Sequence, residues 1–186
     1  MAAEFDARAL DLDVTLVPMR RRHLRTVLRI ENQVYPRPWT ASLFMSELTM
    51  RTSRSYYVAK VGPSVVGYSG TMLVGEDAHV TTIAVDPDWQ RHKVATRLMI
   101  NIARDAAERG AKHLTLEVRV SNAGAQEMYR SFGFHPAGIR KGYYVETNED
   151  ALVMWADDID SPEYETRLAD LETRVPGTTT VEKARP

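Results

Sequence analysis

One segment constrains the fold of this chain more than any other: a strand that ends in a short loop and feeds a long helix. Residues 80–85 form a largely β-branched run that predicts a strand, Asp86-Pro87-Asp88 interrupts it, and residues 90–95 begin an amphipathic helix. The free N–H groups and the dipole at a helix N-terminus both attract an anion. The segment therefore predicts an α/β fold with an anion-binding loop between this strand and this helix.

Composition narrows the class of protein. With 186 residues, 44% of them hydrophobic, the chain is long enough for one domain with its own core. The net charge of −1 implies no general attraction to nucleic acid or membrane. The chain contains no cysteine, which excludes disulfides, thiolate catalysis and cysteine metal sites and fits a cytoplasmic location. No apolar run approaches the ~20 residues of a membrane helix, and residues 1–13 lack the layout of a signal peptide.

Apolar periodicity and turn residues predict elements in the order β-α-α-β-β-β-α-β-α-β-β. Such an order predicts a mixed, mostly antiparallel sheet flanked by helices. Strands are expected at residues 14–17, 55–61, 65–74, 78–85, 114–118, 139–145 and 151–156, and helices at 19–33, 40–49, 90–110 and 122–132.

The ends of the chain differ from its middle in composition. Residues 1–11 are expected to form a flexible leader, and residues 12–160 the folded domain. The remainder, residues 161–186, is expected to be a charged, partly disordered tail. Within it, residues 161–173 are compatible with a charged helix and residues 175–180 with a loop. We expect the tail to take no part in the core, so that its removal leaves folding unchanged.

The predicted anion loop carries a family resemblance. Gln90-Arg91-His92-Lys93-Val94-Ala95 resembles the Gln/Arg-x-x-Gly-x-Gly/Ala loop with which GNAT acetyltransferases hold the pyrophosphate of acetyl-CoA. The predicted element order is also that of the GNAT fold. The residues alone are equally compatible with a purely structural turn. The resemblance implies that acetyl-CoA contacts Ile83, Ala84, Val85, Arg91, His92, Lys93, Val94, Ala95 and Thr96, with a backbone N–H of residues 83–85 available to the thioester oxygen.

Lys93 departs from the family pattern, which has glycine at this position. Glycine adopts the left-handed conformation freely, whereas lysine in that conformation costs on the order of 1 kcal/mol. Two outcomes are open. Either the ammonium lies over the pyrophosphate and compensates as a point charge, or the loop is distorted and binds acetyl-CoA more weakly.

A second motif is more specific. Residues 116–122, Leu-Glu-Val-Arg-Val-Ser-Asn, and the following Tyr129 with Gly133-Phe134 resemble the signature of the RimI-like enzymes, ribosomal-protein alanine N-acetyltransferases. The resemblance implies that Glu117 is the general base, that Tyr129 protonates the leaving thiolate and that Asn122 binds the pantetheine arm or caps a helix. The alternatives are a partly exposed strand glutamate and a core tyrosine. As a base in a half-buried cleft, Glu117 is expected to have a raised pKa.

A third motif, Ile139-Arg140-Lys141-Gly142-Tyr143-Tyr144 with residues 149–154, resembles the ending shared by RimI-like and other protein N-terminal acetyltransferases. The resemblance implies that Tyr143 and Tyr144 wall a peptide groove opposite Tyr35 and Trp39. The alternative is a pair of tyrosines on an exposed hairpin. Five arginines on the first helix form either a solvated basic face or a docking patch for an acidic or ribosomal partner: Arg20, Arg21, Arg22, Arg25 and Arg29.

The five histidines show no metal-ligand spacing, so we expect no metal and assign them to the surface or to packing. Three functions remain open. The first is acetyl-CoA-dependent acetylation of a protein N-terminus by direct transfer, with N-terminal alanine of a small-subunit ribosomal protein as the expected acceptor. The second is acetylation of a lysine or a small amine by the same fold. The third is a non-catalytic regulator that binds acetyl-CoA, which Lys93 alone favours and which Glu117 and Tyr129 oppose.

Overall fold

The computed structural model describes residues 11–183, so all of the predicted leader except Asp11 lies outside the described residues. The elements follow the predicted order and two more follow them. They are β1 (Leu12–Pro18), α1 (Leu24–Val34), α2 (Ala41–Thr49), β2 (Arg54–Val61), β3 (Ser64–Val74), β4 (Asp77–Val85), α3 (Val94–Glu108), β5 (His113–Arg119), α4 (Ala123–Ser131), β6 (His135–Tyr144), β7 (Glu149–Ala156), α5 (Pro162–Thr173) and β8 (Gly177–Val181).

The strands form a single sheet in the order β6-β7-β5-β4-β3-β2-β1-β8. The β4–β5 and β1–β8 pairs are parallel and the other neighbours are antiparallel, so the predicted mixed, mostly antiparallel sheet is confirmed. Residues 56 and 58 of β2 pack under α1 and α2, whereas residues 57 and 59 face the cluster that includes α3. Helices therefore cover both faces of the sheet. Within residues 11–183, no helix combines the length and the apolar character needed to cross a membrane.

The β4–β5 pair creates the opening in which the site lies. The two strands pair at three positions, from Asp77 opposite His113 to His79 opposite Thr115. Beyond His79, β4 continues to Val85 and β5 to Arg119 with no further pairing between the two strands. A gap therefore opens between two strands that are paired along most of their length with their other neighbours, β3 and β7.

The C-terminal segment corrects the predicted role of the tail. Tyr164 and Leu168 of α5 are 6% and 1% exposed and belong to the main core cluster, against which Leu171 also packs. These residues are spaced i, i+4 and i+7, so they form an apolar stripe on an otherwise charged helix. The expectation that residues beyond Pro162 take no part in the core was wrong, because the charged residues of α5 lie on its outer face.

The predicted loop over residues 175–180 is also corrected, since β8 adds a parallel strand to β1. Gly177 has φ +79°, and a Cβ at this position would collide with the backbone of Leu12. Arg97 of α3, 1% exposed, fixes the strand by donating to the carbonyl of Thr178 at 2.7 Å, to that of Leu12 at 3.3 Å and to that of Pro176. A buried guanidinium thus ties the C-terminal strand to the helix that follows the predicted anion loop.

Candidate active site

A cavity of about 960 Å³ lies at the gap between β4 and β5. Its walls come from the α1–α2 connection, the loop before α3, β5, α4 and the end of β6. All the predicted site residues except His92 line it: Tyr35, Trp39, Ile83, Ala84, Val85, Arg91, Lys93, Val94, Ala95, Thr96, Glu117, Asn122, Tyr129, Tyr143 and Tyr144. The fold therefore brings together residues from every one of the sequence motifs.

Two residues of the loop before α3 have a left-handed backbone conformation. Lys93 has φ 60° and ψ 19°, and Arg91 has φ 67°, both left-handed. The helix begins at Val94, and the first N–H with an intrahelical acceptor is that of Arg97, which donates to the Lys93 carbonyl at 3.1 Å. The N–H groups of the first turn are therefore available to an anion in the cavity. Lysine adopts the glycine-like backbone conformation here at a cost on the order of 1 kcal/mol.

An ion pair anchors this loop to the first helix. One oxygen of Asp86 accepts from Arg29 at 2.6 Å, and the other accepts the N–H of Asp88 at 3.1 Å. The carboxylate is buried, with 6% of its side chain exposed, while Arg29 is half exposed. Arg29 therefore has a structural role, because it holds this loop in place. Among the interactions described for residues 11–183, none joins the other four predicted arginines to the loop.

Glu117 lies between two donors. Its side chain is 7% exposed, with Oε2 3.1 Å from Nε2 of His79 and Oε1 3.2 Å from a guanidinium nitrogen of Arg140. The hydrogen bond from His79 lowers the pKa of Glu117, and Arg140 acts in the same direction against the effect of burial. The expected raised pKa was therefore wrong, because His79 on the adjacent strand β4 and Arg140 on β6 together outweigh desolvation.

Tyr129 and Asn122 come from α4. Tyr129 is 6% exposed and packs on Phe134 with ring centroids 5.8 Å apart, so it belongs to the core and lines the cavity at once. Burial raises the pKa of Tyr129, which keeps its hydroxyl protonated at neutral pH. Asn122 caps α4 by accepting the N–H of Ala125 at 3.1 Å. The predicted cap is confirmed, and the residue still lines the cavity.

Aromatic side chains form the opposite walls. Tyr143 and Tyr144 lie edge to face with centroids 5.1 Å apart, and the guanidinium of Arg119 lies 3.9 Å from the centre of the Tyr144 ring. Arg119 also pairs with Glu146 at 2.7 Å. Together these contacts hold the end of β6 against β5.

The cavity-wall residues that sequence reasoning missed include two titratable side chains, those of His79 and Glu31. His79 was assigned to the surface or to packing, whereas it lines the cavity and contacts Glu117. Glu31, 2% exposed, accepts the N–H of Trp39 at 2.9 Å and the hydroxyl of Tyr68. Burial raises the pKa of Glu31 to about 7. The sequence did contain a signal that Glu31 is buried, because this residue follows Val27 by one helical turn on the apolar face of α1.

Comparison with known proteins agrees with this architecture. A sequence model described as the acetyltransferase (GNAT) family matches residues 24–134. A Bacillus subtilis (strain 168) protein named "Putative ribosomal protein bS18-alanine N-acetyltransferase" is 38% identical over 137 residues, which cover 74% of this chain and 91% of that protein. The ribosomal protein bS18-alanine N-acetyltransferase of Escherichia coli (strain K12) is 33% identical over 142 residues, covering 75% and 95%.

A solved structure has a similar fold. The crystal structure of the ribosomal-protein-S18-alanine N-acetyltransferase from Escherichia coli superimposes with a TM-score of 0.72 and 31% identity, covering 78% of this chain and 94% of that one. The family match spans more than half of the chain, and these relatives are matched over nearly their whole length. The chain therefore belongs to the acetyltransferase (GNAT) family and is an N-acetyltransferase.

Proposed function

We propose that this enzyme transfers the acetyl group of acetyl-CoA directly to the α-amino group of a protein N-terminus, and that its acceptor is an N-terminal alanine of a small-subunit ribosomal protein. One observation carries the proposal: a buried carboxylate and a buried phenol, Glu117 and Tyr129, line the same cavity as a helix N-terminus and two aromatic walls. The names of the relatives support the choice of acceptor.

The loop before α3 is the proposed holder of the donor. Its left-handed residues Arg91 and Lys93 and the first turn of α3 direct backbone N–H groups toward the cavity, where the pyrophosphate is expected to bind. The Lys93 ammonium adds a point charge there. Along β4, the backbone of residues 83–85 lines the same cavity and provides the proposed N–H donor for the thioester oxygen.

Glu117 and Tyr129 supply the proposed proton transfers. Glu117 is ionised at neutral pH and receives the proton of the acceptor ammonium through a water molecule. The free amine then forms a C–N bond to the acetyl carbon, and the C–S bond to coenzyme A breaks. The second proton of the attacking nitrogen and the proton held by Glu117 both pass to solvent. Tyr129 gives its hydroxyl proton to the departing thiolate and recovers one from solvent. The products are the acetylated N-terminus and coenzyme A.

The nature of the cavity favours an α-amine over a lysine. An α-amino group has a pKa of about 8, whereas that of lysine is about 10.4, so far more of the α-amine is uncharged near neutral pH. Glu117, with its lowered pKa, is a weak base that suits the less basic amine. The walls formed by Tyr35, Tyr143 and Tyr144 suit an extended peptide whose first side chain is small.

The test compares two peptides that differ in the position of their free amine. One has a free N-terminal alanine and no lysine; its twin has a blocked N-terminus and one lysine. Mass spectrometry after incubation with acetyl-CoA is expected to find one added acetyl group on the first peptide only. Faster modification of the blocked twin would favour the lysine alternative, and modification of neither peptide would contradict the proposed alanine acceptor.

A further inference from the structure

We propose that His79 is a positioning residue for acetyl transfer: it bridges the gap between β4 and β5 and holds the carboxylate of Glu117 in its working orientation. This inference rests on the proposed role of Glu117 as the base. It concerns a residue that sequence reasoning assigned to the surface or to packing, and it gives that residue a function through its contact with Glu117.

The backbone explains why such a bridge is needed. His79 lies opposite Thr115 at the last paired position of the two strands, and Glu117 follows Thr115 by two residues. Successive side chains of a strand alternate between faces, so His79, Thr115 and Glu117 lie on the same face. Beyond Thr115, no hydrogen bonds between these strands hold Glu117 at a set distance from β4. The 3.1 Å contact from Nε2 of His79 to Oε2 of Glu117 links the two strands where their backbones no longer pair.

Of the two partners of Glu117, His79 is the better fixed. Its side chain is 26% exposed, whereas that of Arg140 is 58% exposed. Arg140 lies on β6, whose pairing with β7 shifts register between Arg140 and Tyr144. The exposed guanidinium of Arg140 is screened by water and salt, which weakens its attraction to Glu117. His79 is therefore the partner expected to define the rotamer of Glu117.

In this contact His79 must supply a hydrogen-bond donor. A carboxylate only accepts hydrogen bonds, so Nε2 of His79 carries the proton and donates it. The other charged and titratable groups that act on Glu117 or respond to it are Arg140, Tyr143 and Tyr144, all from β6. A neutral side chain with an N–H at the same reach can replace the donor. Glutamine has such a group, since its amide nitrogen corresponds to Nε2 of histidine.

The chain offers a matched control in His113. This residue lies on β5, its side chain is 29% exposed, and its Nδ1 is 3.1 Å from Oδ1 of Asp157, yet neither residue lines the cavity. His79→Ala and His113→Ala therefore each remove a half-buried histidine of the sheet from the neighbourhood of a carboxylate. A difference between them isolates the effect on Glu117 from the general effect of losing a histidine.

The experiment measures kcat and both KM values for five variants of the full chain: His79→Ala, His79→Gln, Glu117→Gln, the His79→Ala/Glu117→Gln double variant and His113→Ala. We expect His79→Ala to lower kcat about tenfold, below the ~100-fold typical of a general base, with the KM for acetyl-CoA unchanged. His79→Gln is expected to stay within about threefold of wild type. The double variant should be no slower than Glu117→Gln, because His79 acts through Glu117.

The outcomes separate this inference from the proposed function. A normal kcat for His79→Ala, an equal loss in His79→Gln, an equal loss in His113→Ala or additive losses in the double variant would each overturn the role of His79 and leave that of Glu117 intact. A normal kcat for Glu117→Gln would overturn both. Since His79→Gln preserves the size and the donor, it remains informative if the alanine variant folds poorly.

Discussion

The hydroxyl of Tyr35 donates a 2.7 Å hydrogen bond to the backbone carbonyl of Ile83. Tyr35 belongs to the α1–α2 connection, which forms one wall of the cavity, and Ile83 belongs to the unpaired edge of β4, along which the acetyl arm is proposed to lie. One hydrogen bond thus couples the proposed acceptor wall to the proposed donor strand. It also satisfies a carbonyl for which β5 offers no partner.

Tyr35→Phe is expected to lower kcat/KM for the peptide by about 3- to 10-fold, which corresponds to the net value of one hydrogen bond of about 0.5–1.5 kcal/mol. The ring is retained, so any loss of kcat/KM is due to the missing hydroxyl group. Steady-state kinetics with the alanine peptide provides the measurement. Tyr164→Phe is the matched control, because the buried hydroxyl of Tyr164 has no hydrogen-bond partner among residues 11–183. Unchanged kinetics for Tyr35→Phe would mean that the coupling has no catalytic consequence.

Glu117→Gln and Tyr129→Phe are each expected to reduce turnover by about 100-fold or more, in line with the contribution of a general acid or base. Both substitutions preserve shape, and neither residue belongs to the loop before α3, so acetyl-CoA binding should remain near normal. Calorimetry measures the binding and single-turnover kinetics measures the transfer. If both variants turned over at nearly the wild-type rate, neither residue would be part of the mechanism.

The sequence predicted local structure better than the electrostatics of the site. The strands and helices follow from strong apolar periodicity and from turn residues such as Gly62-Pro63, and the motifs from short segments around Lys93 and Glu117. The contact between His79 and Glu117 could not be predicted in this way. It joins residues distant in sequence, whose separation depends on where two parallel strands cease to pair. The lowered pKa of Glu117 follows from that same contact.

The prediction for the tail was wrong for a different reason. Its charged composition suggested solvent exposure, yet Tyr164 and Leu168 lie on one face of α5 and complete the core. The pattern was present in the sequence and was outweighed by the average composition. The parallel strand β8 carried a weaker signal, because its stability depends on Arg97, a residue far away in the chain.

Lys93→Gly tests whether the ammonium of this left-handed residue assists the loop. We expect the variant to bind acetyl-CoA more weakly and with a flatter salt dependence, because a point charge facing the pyrophosphate is lost. Calorimetry at two ionic strengths measures both effects. Lys93→Gln is the companion variant, since it removes the charge and retains the left-handed strain at this position. Tighter binding by Lys93→Gly would identify the lysine as a defect of the loop.

Leu168→Ala is expected to lower the free energy of unfolding by about 2–5 kcal/mol, the usual cost of truncating a fully buried leucine. Leu168 is 1% exposed in the core cluster that also holds Tyr164. Urea denaturation of the full chain measures the change. Asp170→Ala, an exposed position on the same helix, should change stability by less than about 0.5 kcal/mol. Equal stabilities for wild type and Leu168→Ala would restore the view of a tail that takes no part in the core.

Glu31→Gln tests the buried carboxyl behind Trp39 through the pH dependence of stability. Burial raises the pKa of Glu31 in the folded protein from 4.5 to about 7. The folded state therefore binds this proton more tightly than the unfolded state, and the associated stability is fully present below pH 4.5 and is lost as the pH rises through about 7. The loss is on the order of 3 kcal/mol.

Glutamine carries no charge at any pH, and its amide can accept the Trp39 N–H and keep a hydrogen bond with Tyr68. The stability of Glu31→Gln relative to wild type should therefore rise between pH 4.5 and 8, by an amount on the order of 3 kcal/mol. Urea denaturation of both proteins across this range measures the difference and cancels the contributions of all other groups. Parallel stability curves would mean that Glu31 titrates alike in the folded and unfolded states, and that its burial is compensated by the two hydrogen bonds it accepts.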